Sequence, residues 1–247
     1  AKVNVSGTAT DAVIVGNGYN DGGDYGSYLF VINADTGALI KRFKAGDGTV
    51  GSPNGLSTPV AIDQDNDGLV DAVYAGDLNG TMWKFSLRDL SDNTTVATTT
   101  TDLVNPIVKA LVVTSPAQPI TSTPGVAVGP TGVGYMVTFG TGRVLVDADL
   151  ADTTVHYVYG IWDGAPAANA AMLVQTISER NYVNGSTTTR VRRVTSNQPV
   201  WDDGAANHKG WKVALPAGER VLGEGSFIEN GRFYFTGSNP TISTTIP

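Results

Sequence analysis

Cysteine is absent from this 247-residue chain. Its absence excludes disulfides, thiolate nucleophiles and cysteine-ligated zinc, and it leaves the redox compartment undecided. Histidine is nearly as scarce, with His156 and His208 the two copies. No His-Glu-x-x-His zinc signature and no Gly-x-Ser-x-Gly nucleophile elbow occurs. His156 lies in an apolar run and reads as a satisfied core or edge histidine, whereas His208 reads as part of the polar loop Asn207-His208-Lys209-Gly210. Charged residues make up only 16% of the chain, and the formal net charge of −7 argues against a nucleic-acid surface, which needs clustered Lys and Arg. No apolar run approaches the length that spans a bilayer. The first residues, Ala1-Lys2-Val3-Asn4, are not a signal peptide, as expected of a mature or excised segment.

What is present favours strands. Glycine occurs 30 times and proline 12 times, threonine is abundant, and 41% of residues are hydrophobic. That profile predicts many short strands joined by turns, with enough apolar mass for one large all-β domain or two small ones.

Residues 63–71 read Asp63-Gln64-Asp65-Asn66-Asp67-Gly68-Leu69-Val70-Asp71. Their four carboxylates stand at relative positions 1, 3, 5 and 9, with glycine at position 6. Such density is repulsive unless a hard cation neutralises it, and Ca²⁺ takes six to eight oxygens at about 2.3–2.6 Å. Alternate side chains of a curled loop point inward, Gly68 takes the sharp turn, and Leu69 has a backbone carbonyl to offer. A helical EF-hand is excluded. Its twelfth position is a bidentate glutamate, here Tyr74, and Thr58–Ile62 and Val70–Ala75 are β-branched and apolar. The spacing predicts a calcium loop between strands; a solvated Asp-Asn-Gly hairpin turn is the alternative.

One pattern recurs along the chain. An apolar run ends in Gly plus a small polar residue at Val13-Ile14-Val15-Gly16-Asn17 and at Val73-Tyr74-Ala75-Gly76-Asp77. It returns at Val137-Thr138-Phe139-Gly140-Thr141 and at Tyr234-Phe235-Thr236-Gly237-Ser238, with glycines 60, 64 and 97 residues apart. Spacings of this order suit propeller blades with variable loops. Hairpins fill the intervals: Tyr28–Ile32 turns through Asn33–Gly37 into Leu39–Phe43, and Asp77-Leu78-Asn79-Gly80 carries an Asn-Gly turn. In the strand after that turn, Trp83, Phe85 and Leu87 form the expected core face, opposite Met82, Lys84 and Ser86. Residues 88–106 read as an exposed Thr-rich connection, Val155–Trp162 as a strand, and Ala167–Ser178 as a short helix. Thr187–Val194, with Arg190, Arg192 and Arg193, reads as a solvated edge strand protected by charge, with an anionic-ligand patch as the alternative. Gly16-Asn17-Gly18 and Gly140-Thr141-Gly142 read as turn glycines, not phosphate cradles. The loop Asn20–Ser27 holds Asp21 and Asp24 and reads as flexible, a second weak cation site being the alternative.

The stretch Asp71–Phe85 resembles the C-terminal propeller of PilY-type proteins, large surface-exposed factors associated with bacterial type IV pili. Other segments agree in order: Gly16–Asn20, Val31–Gly37, Pro119–Thr121, Phe139–Arg143, Tyr159–Asp163, Gly210-Trp211 and Gly218–Val221. The resemblance implies an all-β, modified β-propeller with long inter-strand loops. About four to five blades fit this length, whether as a fragment of a longer surface protein or as a reduced version, with 1–247 forming a single domain. It implies Ca²⁺ held by the side chains of Asp63, Asp65, Asp67 and Asp71 and by the Leu69 carbonyl, with occupancy linked to pilus extension and retraction. The expected role is a non-enzymatic one at the cell surface, with minor pilins or other pilus components as partners and a host or surface ligand as a further one. Family members are much longer, often with a von Willebrand A-like region missing here, and no Arg-Gly-Asp tripeptide supports integrin binding. Two other propeller types are weaker matches. Leu29–Leu39 is similar to quinoprotein-dehydrogenase repeats, whose vicinal disulfide has no counterpart here. Integrin-type propellers repeat the aspartate loop, of which this chain has one full copy.

Overall fold

The computed structural model describes residues 1–19, 23–90, 95–96, 108–114, 118–166, 169–202, 204, 206–229 and 232–240. It is built from strands, with two single 3-10 turns at Pro130–Gly132 and Asp147–Ala151. The first sheet begins with β1 (Lys2–Val5), β2 (Thr8–Gly16), β3 (Tyr28–Asn33) and β4 (Leu39–Lys44), an antiparallel meander. Three strands of the second sheet follow: β5 (Val60–Ile62), β6 (Ala72–Gly76) and β7 (Thr81–Ser86). Then β8 (Thr95–Val96) returns beside β4, and β9 (Val108–Val113) completes the second sheet beside β7.

The third sheet contains β10 (Gly125–Val128), β11 (Tyr135–Gly140), β12 (Tyr157–Trp162) and β13 (Ala171–Gln175). A separate hairpin of β14 (Ile177–Asn184) and β15 (Thr187–Val194) interrupts it before β16 (His208–Ala214), and its spatial order is β10-β11-β12-β16-β13. A last hairpin pairs β17 (Arg220–Glu229) with β18 (Arg232–Ser238). Three sheets of four or five strands are thus followed by two strands in the position of a fourth.

The cores lie between successive sheets. Leu29, Val31 and Phe43 of the first sheet meet Val73, Ala75, Trp83 and Phe85 of the second. Ala72, Tyr74 and Met82, from the opposite face of that second sheet, meet Val137, Phe139, Tyr159 and Ile161 of the third. Val158, on the far face of β12, packs with Leu215 and Val221. Alternation in β6 and β7 therefore separates two cores, not core from solvent. The expected one-sided core of β7 is corrected accordingly, because Met82 is as buried as Phe85. This stacking of twisted sheets face on face is the propeller solution to sheet edges.

The recurring Gly-polar pairs mark these junctions. β2, β6 and β11 each end on the glycine, and the fourth copy lies within β18. A Cβ on Gly76 would stand 2.2 Å from Ile120 Cγ2, and one on Gly140 would stand 2.3 Å from Val221 Cβ, so each glycine makes room for the next sheet's entry. The polar residue then ties down two segments. Asn17 Oδ1 accepts from the backbone N–H of Tyr28 at 2.9 Å and of Leu56 at 3.0 Å. Asp77 Oδ1 accepts from Thr81 N at 2.8 Å while its carbonyl accepts from Ile120 N at 3.0 Å. Thr141 Oγ1 accepts from Tyr157 N at 2.9 Å, and its carbonyl accepts from Val221 N at 3.1 Å.

The helix expected over Ala167–Ser178 does not form in its described part. Ala171–Gln175 is β13, parallel to β16, and β14 starts at Ile177. Pairing with an available sheet edge outweighs the local preference of alanine for helix. Val155–Trp162 yields β12 from Tyr157 onward, and Thr187–Val194 is a strand paired, among the described residues, with β14 alone. Most of the Thr-rich segment 88–106, and Asp21, lie outside the described residues. Asp24 accepts a short hydrogen bond from Tyr28 Oη and another from Gly26 N at 3.1 Å. Among the described residues, no helix is long and apolar enough to cross a membrane.

Candidate metal centre

The aspartate loop leaves β5 at Ile62 and enters β6 at Ala72, which are paired partners. Asp71 N–H donates to the Ile62 carbonyl at 3.0 Å, so the loop closes on the last rung of the ladder. Within it the carboxylates organise backbone. Asp63 accepts from Asn66 N at 2.7 Å and from Gly68 N at 2.8 Å, one bond per oxygen. Asp65 accepts from Asp67 N at 3.3 Å, Asp67 from Leu69 N at 2.8 Å, and Asp71 from Gln64 N at 2.7 Å. Asn66 and Gly68 both adopt positive φ (62° and 88°), the conformations that Asn and Gly take most readily.

This curl gathers oxygens. One carboxylate oxygen from each of Asp63, Asp65 and Asp71 lies within 4.8 Å of the others. Ligands on opposite sides of a Ca²⁺ stand about 4.6–5.2 Å apart, twice the usual bond length, so the spread suits that ion. The donors are all hard oxygens, the chemistry Ca²⁺ selects. Asp67 is outside this group, and one of its oxygens accepts from Leu69 N–H. Desolvation alone would raise the Asp63 carboxyl, but the N–H groups of Gly68 and Asn66 outweigh it and hold the acid below its ordinary value. Arg88 approaches Asp71 at 3.6 Å and donates to Gln64 Oε1 at 3.1 Å, partly offsetting the negative charge.

The loop also reaches the first sheet. Val70, 8% exposed, joins the first core, and its N–H donates to the Lys2 carbonyl of β1 at 2.8 Å. Leu87 N–H donates to the Asp71 carbonyl, and Leu90 N–H to the Asn4 carbonyl. Asp65 and Asp67 are exposed, Asp71 is buried at the base of the loop, and the backbone beneath ties the second sheet to the first.

Three further polar centres have roles that the sequence did not assign. Asp163, in the turn after β12, accepts from Tyr74 Oη and Lys84 Nζ, both at 2.6 Å, and from Tyr135 N at 2.5 Å. It thereby joins the second and third sheets; its side chain is 1% exposed, and desolvation with the Asp163 charge pushes the Tyr74 hydroxyl far above its ordinary value. Asp77, also buried, accepts from Trp83 Nε1 at 2.8 Å and Asn54 Nδ2 at 3.0 Å. Arg220 is 1% exposed and donates to the carbonyls of Gly218, Arg143, Asp149 and Asp152. Phe139–Arg143 and Gly218–Val221, separate in sequence, are two halves of one junction. His156 is buried beside them: Nδ1 lies 3.4 Å from Thr141 Oγ1, Nε2 has no hydrogen-bond partner, and Asp152 is 3.6 Å away. The expected satisfied histidine is therefore only half satisfied. His208, expected in a polar loop, instead opens β16, and its Nδ1 accepts from Val200 N–H at 2.9 Å, a structural role.

Comparison with known proteins adds to this geometry. The family model for the PilY1 beta-propeller domain matches residues 3–191. The chain is 33% identical over 241 residues to the type IV pilus biogenesis factor PilY1 of Pseudomonas aeruginosa PAO1, covering 86% of this chain and 21% of that protein. It is 35% identical over 252 residues to a PilY1 homolog of Xylella fastidiosa Temecula1, covering 94% of this chain and 16% of that protein. The chain thus spans a fifth or less of the homolog and about a fifth of PilY1 itself. The crystal structure of the P. aeruginosa PilY1 C-terminal domain superimposes with a TM-score of 0.72 at 26% identity, over 97% of this chain and 55% of that one. Sheet stacking, family match and structural likeness agree, and the chain belongs to the PilY1 β-propeller domain family.

Proposed function

We propose that this chain is a calcium-binding propeller module of a type IV pilus assembly and adhesion factor, working by binding and not by catalysis. One observation carries the proposal: three carboxylate oxygens converge in a loop whose base is fastened to the neighbouring sheet. Asp63, Asp65 and Asp71 form the core of the ligand set; Asp67, through its second oxygen, and the Leu69 carbonyl complete it. Ca²⁺ there cancels the repulsion among the aspartates and stiffens the contact between the first two sheets. An ion bound only by the folded loop stabilises it by roughly 2.7 kcal/mol at a hundredfold excess over its dissociation constant.

The relatives are named as pilus biogenesis factors, which supports minor pilins or other pilus components as partners and a pilus-associated, extracellular site of action. A host or surface ligand is the second class of partner in this reading. Residues 1–247 act as one propeller-like unit of a longer surface protein, in which calcium occupancy regulates extension against retraction. Co-purification of this chain with minor pilins, in Ca²⁺ and in chelator, tests the role. Retention that depends on Ca²⁺ and fails in Asp65→Ala is expected; retention equal in all three conditions contradicts the regulatory reading.

A further inference from the structure

The hairpin β14–β15 separates its charges by face. Residues 177–194 contain four arginines and one glutamate, within a chain whose net charge is −7. In the antiparallel register Glu179 lies opposite Arg192, and Arg192 pairs with Glu179 at 3.1 Å and with Glu219 at 2.8 Å. The acids are thus engaged on one face. On the other, Ser178 lies opposite Arg193, and Arg180 is two residues along on the same side. Arg180 and Arg193 are exposed and form no ion pair among the described residues. Diagonal neighbours in such a pair stand roughly 7–8 Å apart, near enough for two unpaired guanidinium groups to repel and to share one anion.

Both arginines line an open cavity of about 410 Å³ together with Ser178, Thr195, Ser196 and Asn197. Its floor is braced from behind. Gln175 Oε1 accepts from Thr195 Oγ1 at 2.6 Å and from Asn197 N at 3.1 Å, and Asn197 Nδ2 donates to the Val174 carbonyl at 3.0 Å. The arginines are left facing solvent over a rim of hydroxyl and amide groups. No aromatic or aliphatic side chain lines the cavity. A nucleobase has nothing to stack on, and an acyl chain or apolar peptide side chain has nothing to bury against.

We infer that Arg180 and Arg193 form a binding site for an acidic glycan, holding a sulfate or carboxylate between the two guanidinium groups while Ser196 and the neighbouring rim meet sugar hydroxyls. Guanidinium donors suit planar or tetrahedral oxyanions because their forked N–H groups engage two oxygens together. This site shares no residue with the aspartate loop and needs no metal.

The test is calorimetric titration of the chain with a heparin-derived hexasaccharide, without added Ca²⁺. The comparison proteins are the double variant Arg180→Gln/Arg193→Gln and the remote charge variant Lys2→Gln. Saturable binding that weakens at least tenfold in the double variant and less than twofold in Lys2→Gln is expected, with unfolding midpoints unchanged. Equal affinity in the double variant, or no binding by the unaltered chain, overturns the site. A single-stranded oligodeoxynucleotide, an oligoglutamate peptide and phosphatidylglycerol vesicles are run beside the glycan. Should any of them bind as tightly through the same arginines, the glycan assignment is overturned.

Discussion

At the scale of single residues, buried polar groups do work that apolar patterning does not reveal. In the sequence Asp163 stands only as the last residue of the Tyr159–Asp163 segment, yet it holds Tyr74, Lys84 and Tyr135 across two sheets. Replacing it by Ala leaves a half-buried ammonium and a buried phenol without an acceptor. The expected cost is about 3 kcal/mol, read as a lowered urea midpoint with an unchanged slope; Tyr74→Phe, which removes one bond, should cost about 1 kcal/mol.

His156 sets a pH dependence. Desolvation first and the Arg220 charge second hold its imidazole below the ordinary histidine value, against the opposing pull of Asp152. The unfolded chain therefore takes up the proton before the folded one does. Stability from this group is fully present above pH of about 6.5 and declines as pH falls toward the depressed folded value, with a slope of at most about 1.4 kcal/mol per pH unit. His156→Gln should flatten the stability profile between pH 7 and pH 5; an unaltered slope would place the titration elsewhere.

At the scale of elements, strand ends and turns were the most legible part of the sequence. The Gly-polar pairs at 16–17, 76–77 and 140–141 mark strand ends because two demands coincide there: room for the next sheet and a polar residue that binds the segments on both sides, through its side chain alone at Asn17 and through side chain and carbonyl at Asp77 and Thr141. The Asn33–Gly37 and Asp77–Gly80 turns were legible for the same local reason, since Asn33 Oδ1 and Asp77 Oδ1 accept from nearby N–H groups. By contrast, β13 was hidden. Its strand state comes from an edge of β16 that no local window contains. Burial of both faces of β7 was hidden too, because it requires a sheet on each side. The glycine at a junction gives a direct prediction: Gly76→Ala forces a methyl into Ile120, and overpacking of that kind costs about 1–3 kcal/mol. Gly140→Ala should behave alike against Val221, both being measured by chemical denaturation.

At the scale of the whole molecule, three stacked sheets are joined by a few polar devices placed at their seams. Arg220 illustrates the design, with four carbonyls from two inter-strand connections converging on one buried guanidinium group. Arg220→Met keeps much of the volume and strands those carbonyls, so it should loosen β17 from the third sheet, seen as faster amide exchange at Val221. The aspartate loop belongs to the same set, since Val70 and Asp71 fasten the second sheet to the first beneath the acidic cluster. The spacing of the aspartates pointed to an acidic cluster, of which Asp63, Asp65 and Asp71 do converge, but the loop's attachment to β1 was not readable, because Lys2 lies far away in sequence. In the proposed function, an ion held by this loop would be coupled to the contact between sheets, and that coupling would be the physical basis for regulation.

The most direct test of that basis is calorimetric titration with Ca²⁺ of the unaltered chain and of Asp65→Ala, an exposed position whose loss leaves the core untouched. One ion per chain, with binding abolished or weakened at least tenfold in Asp65→Ala, is the expected result. Equal heats for the two proteins, or no heat for either, would contradict a calcium site at 63–71.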